Sequence, residues 1–348
     1  MWCLTRRTLK DNEKKDYIEA VLCLQRLPSK ADPAVIPGAR TRWDDFISIH
    51  ITKSKGLNER NGGIHLVVSV FPILCILVII FLTRSLTQGH FLPWHRYLII
   101  TYETALREEC GYKGAQPYWN WSLDTEPGMD IRDSPVFNPV TGFGGNGEAG
   151  IPLPPAGPGL LHLPGGTGGG CVLDGPFANL TINIGPGESL TYNPHCVSRS
   201  LNPTMSRYLN YSNIAPLAEA TTFKQFDYIT QATPTSLTQL VPITFHRAGH
   251  WAIGGDQDYI YSANSDPFFY LHHAFIDKLW AIWQRYPIGS RFLDISGPQI
   301  PFTSEPQVTL DFPIDLGWAR PAIPISRVMD VTKGNKGGIG CYEYDYEW

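Results

Sequence analysis

Apolar positions recur at helical spacing in five stretches of this chain, and the long segments between them keep no period. Residues 9–27 alternate charged and apolar positions, with Tyr17, Val21 and Leu24 on one stripe, and predict a first helix. Residues 41–51 predict a second. There Trp43, Phe46, Ile47 and His50 stand at i, i+3, i+4 and i+7, so a histidine shares the apolar face. Residues 94–109 predict a third, with His95, Ile99, Tyr102 and Leu106 in line and Cys110-Gly111 as its stop. Residues 243–253 and 266–286 read as two more helices. Residues 126–215, rich in Gly, Pro and Asn, read as a long loop region with short strands, and the tail from Cys341 to Trp348 reads as extended. No segment repeats. The pattern implies a mainly α chain organised as a single domain over residues 1–348.

One segment breaks this pattern. Leu66 to Leu82 is apolar except for Ser69 and Pro72, and its 17 residues are borderline for a membrane span. The polar sequence Thr83-Arg84-Ser85-Leu86-Thr87-Gln88 follows it.

Composition narrows the function classes. Hydrophobic residues make up 43% and charged residues 17%, enough apolar side chain for a real core. The net charge of −4 offers no basic face for nucleic acid, and no run of like charge suggests an anionic membrane. The many Trp, Tyr and Phe can fill a core or line a pocket for a flat aromatic substrate. Cys3, Cys23, Cys75, Cys110, Cys171, Cys196 and Cys341 form no CxxC pair, which weakens zinc-finger and thioredoxin readings. With three glycosylation sequons, at Asn120, Asn179 and Asn210, they lean towards an oxidising, secreted setting. Residues 1–30 nevertheless show no apolar signal-peptide core.

Ten histidines carry the candidate chemistry. His246 and His250 stand at i and i+4, so both imidazoles leave one helix face, a spacing that suits copper, zinc, iron or nickel. Arg247 occupies the place of the glutamate in a metalloprotease HExxH, which argues against zinc hydrolysis. His272 and His273 are adjacent and point about 100° apart on a helix, so a single metal takes one of them. Phe269, His273, Ile276, Trp280 and Trp283 form one stripe; Phe268, His272, Phe275, Leu279 and Ile282 form another, and periodicity does not choose between them. Asp277, one turn after His273, is placed to orient an imidazole from behind or to be an ordinary surface carboxylate.

Several motifs resemble the tyrosinase and catechol oxidase family, nearest to its short fungal members. Phe91-Leu92-Pro93-Trp94-His95-Arg96, then Tyr102-Glu103 and Gln116-Pro117-Tyr118-Trp119-Asn120-Trp121, are similar to that family's copper-A half. The segment Thr41 to His50 resembles the one bearing its first copper-A ligand. Phe245 to Gly255 and Asp266 to Trp283 resemble its copper-B half, and the tail its tyrosine-rich end. The likeness runs from about residue 8 to the tail.

The resemblance implies a central four-helix bundle holding two copper ions, with a small phenolic substrate and O2 as partners and no membrane. Carried over by position, it implies His246, His250 and His273 at copper B, and His50 and His95 at copper A. The middle copper-A ligand is expected upstream of His95, where His65 is 30 residues away and His90 only five. Omitting residues 67–87 would bring His65 to the family-like spacing of nine, so that stretch is expected to be a foreign insertion, such as a retained intron. This also removes Cys75 and leaves six cysteines, which allow fifteen pairings. Gly63 stands where some relatives have a cysteine cross-linked to the middle ligand, so no thioether is expected.

Family members that hydroxylate monophenols well carry an Asn after the first copper-B ligand and an upstream Glu; here Arg247 takes the first place, and no acid lies between Tyr228 and Phe245. Oxidation of o-diphenols or o-aminophenols is therefore expected over tyrosine hydroxylation. Phe269, Arg247, Trp251, Ile260 and Tyr261, with Tyr259, are expected around the metal as its packing or its gate. Three other readings compete: a haemocyanin-like oxygen carrier, a product impaired because its insertion splits copper A, and a zinc hydrolase built on His246 and His250.

Overall fold

A computed structural model of the chain describes residues 2–3, 7–55, 88–152, 160, 163–231, 243–286, 291–300, 303–332 and 337–345. The stretch 67–87, with the apolar run and Cys75, lies outside these residues. Among the described residues six helices exceed two turns: α1 (Asp11–Arg26), α2 (Arg42–Ser54), α3 (Phe91–Cys110), α4 (Phe223–Gln231), α5 (Phe245–Ile253) and α6 (Phe268–Arg285). None is long and apolar enough to cross a membrane.

Local chemistry sets most helix ends. Thr41 caps α2 by accepting from the Asp44 N–H, while Asp44 reaches back to the Thr41 N–H, so two orphan donors are satisfied at once. Helix α3 starts at Phe91, three residues earlier than its pattern predicts, because Pro93 falls in the first turn, where no N–H partner is needed. It stops at Gly111, whose φ of +70° turns the chain out of the helix. The short α4 was not predicted: its buried face carries Asp227, Thr230 and Gln231 beside Phe223 and Phe226, which blurs the apolar period.

Helices α3 and α6 pack at the centre. Tyr102 stacks on Tyr270 at 3.6 Å, and Trp43 and Phe46 of α2 meet this pair edge-on at 5.5–6.5 Å. Helix α1 lies against α2 and α3, and α5 against α4 and α6. The described residues between 126 and 215 form loops with one-turn helices and the hairpin of β2 (Thr181–Ile182) and β3 (His195–Cys196), in line with the sequence reading. A second small antiparallel pair joins Pro313–Ile314 to Ile323–Pro324, and the extended tail at Glu343–Tyr344 runs parallel to β1 (Trp2–Cys3).

Two disulfides are formed among the described residues. Cys171–Cys196 pins the loop to β3, and Cys23–Cys110 ties the end of α1 to the end of α3 across 87 residues. Closing a loop of that length removes much freedom from the unfolded chain, on the order of 4 kcal/mol. A Cys23→Ala/Cys110→Ala double variant should therefore melt several degrees lower by calorimetry; an unchanged Tm would contradict this account.

Candidate metal centre

Five of the expected ligands meet in the middle of the bundle. His50 comes from the third turn of α2, His95 from the first two turns of α3, His246 and His250 from one face of α5, and His273 from α6. All five are buried. His65 lies outside the described residues, and His90 stands at the start of α3 with its ring against Phe312 at 5.3 Å.

Hydrogen bonds on the far ring nitrogen aim three of these imidazoles. His50 Nδ1–H donates to the Tyr261 carbonyl at 2.7 Å, and His95 Nδ1–H to the Phe91 carbonyl at 2.9 Å. His250 Nδ1–H donates to Gln257 Oε1 at 2.7 Å. In each ring the lone pair is then left on Nε2, the tautomer a metal requires. His250 Nε2 lies 3.2 Å from both His246 Nε2 and His273 Nε2. Nitrogens held on a shared ion at about 2.0 Å in tetrahedral directions stand about 3.3 Å apart, so this spacing fits a single metal.

The two halves touch directly. His95 stacks on His273 at 4.2 Å and 8°, and His50 lies 5.9 Å from His95. Phe269 sits among them, 5.0 Å from His50, 4.2 Å from His273 and 5.8 Å from His250. Phe91 packs on His95 and His246 at 4.4 and 4.6 Å. Burial disfavours the imidazolium form: it pushes His50 down to about 3 and His250 to about 4, and holds His95, His272 and His273 well below the usual histidine range. All are neutral at physiological pH, as ligands must be.

His272 also falls within 4.8 Å of His246, His250 and His273, so proximity alone gives four candidates. Orientation separates them: His272 Nε2 is engaged with the His246 carbonyl at 2.9 Å, whereas His273 Nε2 faces His250 Nε2.

The expectation that Asp277 orients an imidazole is corrected. Its carboxylate accepts from Arg96 Nε at 2.5 Å and from the Tyr342 and Tyr344 hydroxyls at 2.6 Å, while His273 Nδ1 has no hydrogen-bond partner among the described residues. The tail tyrosines and Arg96 reach this buried carboxylate first, so it is neither a ligand support nor a surface charge.

Arg247 is half-buried in the first turn of α5, and burial lowers its guanidinium to about 10, still charged at neutral pH. Trp251 and Ile260 are half-buried against the core, and Tyr261 is buried with its carbonyl on His50. Gln257 escaped the sequence reading. Gly254 and Gly255, at φ +64° and +60°, reverse the chain after α5 and bring it beside His250, a fold-back that no local period announces.

These features are those of a known family. The common central domain of tyrosinase matches residues 40–286. This chain belongs to the tyrosinase family. Tyrosinase P of Aspergillus terreus is 30% identical over 357 residues, covering 97% of this chain and 89% of that protein. The N-acetyl-6-hydroxytryptophan oxidase of Emericella nidulans is 32% identical over 370 residues, covering 97% and 90%. A solved polyphenol oxidase of Thermothelomyces thermophila superposes with a TM-score of 0.78 at 32% identity, covering 99% of this chain and 88% of that one. The protein is accordingly a copper-dependent oxidase of phenolic compounds, and its buried imidazole cluster fits the family's pair of copper ions.

The depressed histidines set an acid limit. Their folded pKa values lie below that of free imidazole, so below about pH 6.5 the unfolded chain binds more protons and stability falls with pH. At pH 5, His50 and His250 should each remove roughly 2 kcal/mol from the metal-free protein relative to pH 7.5. Urea midpoints of metal-stripped protein at the two pH values measure this; equal midpoints would contradict it.

Proposed function

We propose that this chain uses O2 to oxidise o-diphenols, or o-aminophenols, to the quinone level, with little or no hydroxylation of monophenols. His246, His250 and His273 would hold copper B, and His50, His95 and His65 copper A. Bound there, a copper pair would supply the electron relay between O2 and substrate: O2 takes four electrons and four protons to become water, and each of two diphenols would give up two of each in leaving as a quinone. The protein holds the imidazoles neutral and aimed, and keeps water out of the bundle core.

The observation that carries the restriction to diphenols is Arg247. A guanidinium has donors and no acceptor, so at this position it takes no proton from a phenol or a water. The buried acids nearby are committed elsewhere: Asp277 to Arg96, Asp266 to Arg199 and Asp256 to the Ser198 N–H. A diphenol, whose second hydroxyl is already present, does not need the missing base. Relatives named as tyrosinases and as a hydroxytryptophan oxidase support the phenolic substrate class, and the disulfides support secretion.

A second reading concerns residues 67–87, which we propose are foreign to the domain. The rings of His50 and His95 lie 5.9 Å apart, whereas a single membrane crossing between Lys55 and Gln88 would set their flanks about 30 Å apart. That geometry favours an insertion over an anchor, and an insertion beside His65 can impair copper A.

Copper content and activity should be compared for the chain as written and for one lacking residues 67–87. The shorter chain should bind two coppers and oxidise catechol while leaving tyrosine nearly untouched. Lag-free tyrosine hydroxylation would sink the diphenol assignment. No copper in either form would sink the dicopper reading. One copper in the full chain against two in the shorter one would give the function to the shorter product alone.

A further inference from the structure

We infer that His272 is a positioning residue, which locks the histidine pair of α5 onto α6 through a gap that only Gly249 leaves open. This rests on the dicopper reading. His272 is 1% exposed, and its Nε2–H donates to the His246 carbonyl at 2.9 Å. That carbonyl also stands in the i−4 position for the His250 N–H, so the bond grips the turn that spaces the two ligands. The His272 ring lies parallel to His246 at 5.9 Å and 5°, meets His250 edge-on at 4.7 Å, and is backed by Trp121 at 5.1 Å.

Gly249 makes this approach possible. A Cβ there would stand 2.0 Å from His272 Cε1, 2.5 Å from Nδ1 and 2.7 Å from Nε2, closer than atoms tolerate. Glycine is unfavourable in a helix interior, so its presence between two metal-facing histidines has a packing cause. The same contact sets His272 Nδ1 against Gly249, with no hydrogen-bond partner among the described residues, while His246 Nε2 and His273 Nε2 both meet His250 Nε2. His272 thus touches the site from behind, and outer contacts of this kind typically change metal affinity 10- to 100-fold.

The test is a copper titration against a competing chelator, read with the electron paramagnetic resonance of the loaded cupric protein. His272→Phe keeps an aromatic ring and loses the donor; Gly249→Ala fills the gap. Each should weaken one copper by about 10- to 100-fold and leave a half-loaded centre with a mononuclear signal. His272→Gln, whose amide reaches the same carbonyl, should restore most of the affinity. His250→Ala should abolish that copper outright. Wild-type affinity in His272→Phe would overturn the inference, and so would complete loss of the copper in both His272→Phe and His272→Gln, which would make His272 a ligand. Failure of the dicopper reading itself shows earlier, as unmodified protein that takes up no copper.

A different observation carries a modification site. We infer that, in chain routed through a secretory pathway, Asn179 carries an N-glycan and Asn120 does not. Asn179 is exposed at the tip of a turn anchored by buried Phe177 and Leu180, and Thr181 of its sequon is exposed at the start of β2. Asn120 is 7% exposed between buried Trp119 and Trp121, with its Oδ1 accepting from Ser122 at 2.7 Å, so a glycan there has no way out. Peptide mass mapping of folded protein, secreted behind a leader from a glycosylating host, should find glycan on Asn179, and Asn179→Gln should remove it. An unmodified Asn179, or glycan on Asn120 in folded protein, would overturn the assignment.

Discussion

Burying at least five imidazoles at one point, each with an Nε2 turned inward, is the demand that the rest of this molecule serves. Burying a polar ring in a core is unfavourable unless its nitrogens are engaged, and all five of these rings are buried. The structure answers by engaging the opposite nitrogen of His50, His95 and His250 with Tyr261, Phe91 and Gln257, so that the ring is anchored and the lone pair is left for a metal. The partners come from different sources: a loop carbonyl, a carbonyl one turn back in the same helix, and a side chain brought round by two glycines. The site is therefore a property of the whole bundle.

Holding those helices in register falls largely to buried charge. Arg96 follows His95 and lies over Trp280 at 3.7 Å; it binds Asp277, Gln284 and the carbonyls of Val328 and Met329. Burial opposes its charge, and Asp277 together with Tyr342 and Tyr344 more than offsets this, so its pKa is raised. Through Tyr342 and Tyr344 the same carboxylate gathers in the tail, and one cluster links α3, α6 and the chain end. Arg199 and Asp266, both fully buried, do the same for the loops around Phe143 to Gly145 and the start of α6. Breaking such a pair leaves a bare charge in the core, which binds these distant segments to one arrangement.

Much of the fold, and five of the histidines gathered at the candidate site, were legible in advance. Helices α1, α2, α3, α5 and α6 were each written in an apolar period, since each buries one face against a common core. The i, i+4 pair of His246 and His250 and the place of His50 on an apolar face are local facts, fixed by 3.6 residues per turn. The resemblance of the motifs around His95, His246 and His273 carried the family and its copper. Helix α4 escaped because polar residues interrupt its stripe, and Asp277 was misjudged because its partners lie 65 and 67 residues away in sequence, beyond any local pattern.

The sequence by itself thus determined which helices form, which histidines each helix offers and which family the chain joins, because periodicity, capping and motif are short-range properties. Only the tertiary structure decided which nitrogen of each ring faces inward, that His273 Nε2 meets His250 while His272 turns to the His246 carbonyl, and that Asp277 serves the tail. Those choices depend on what packs against each side chain from remote parts of the chain. No spacing along one helix encodes that contact.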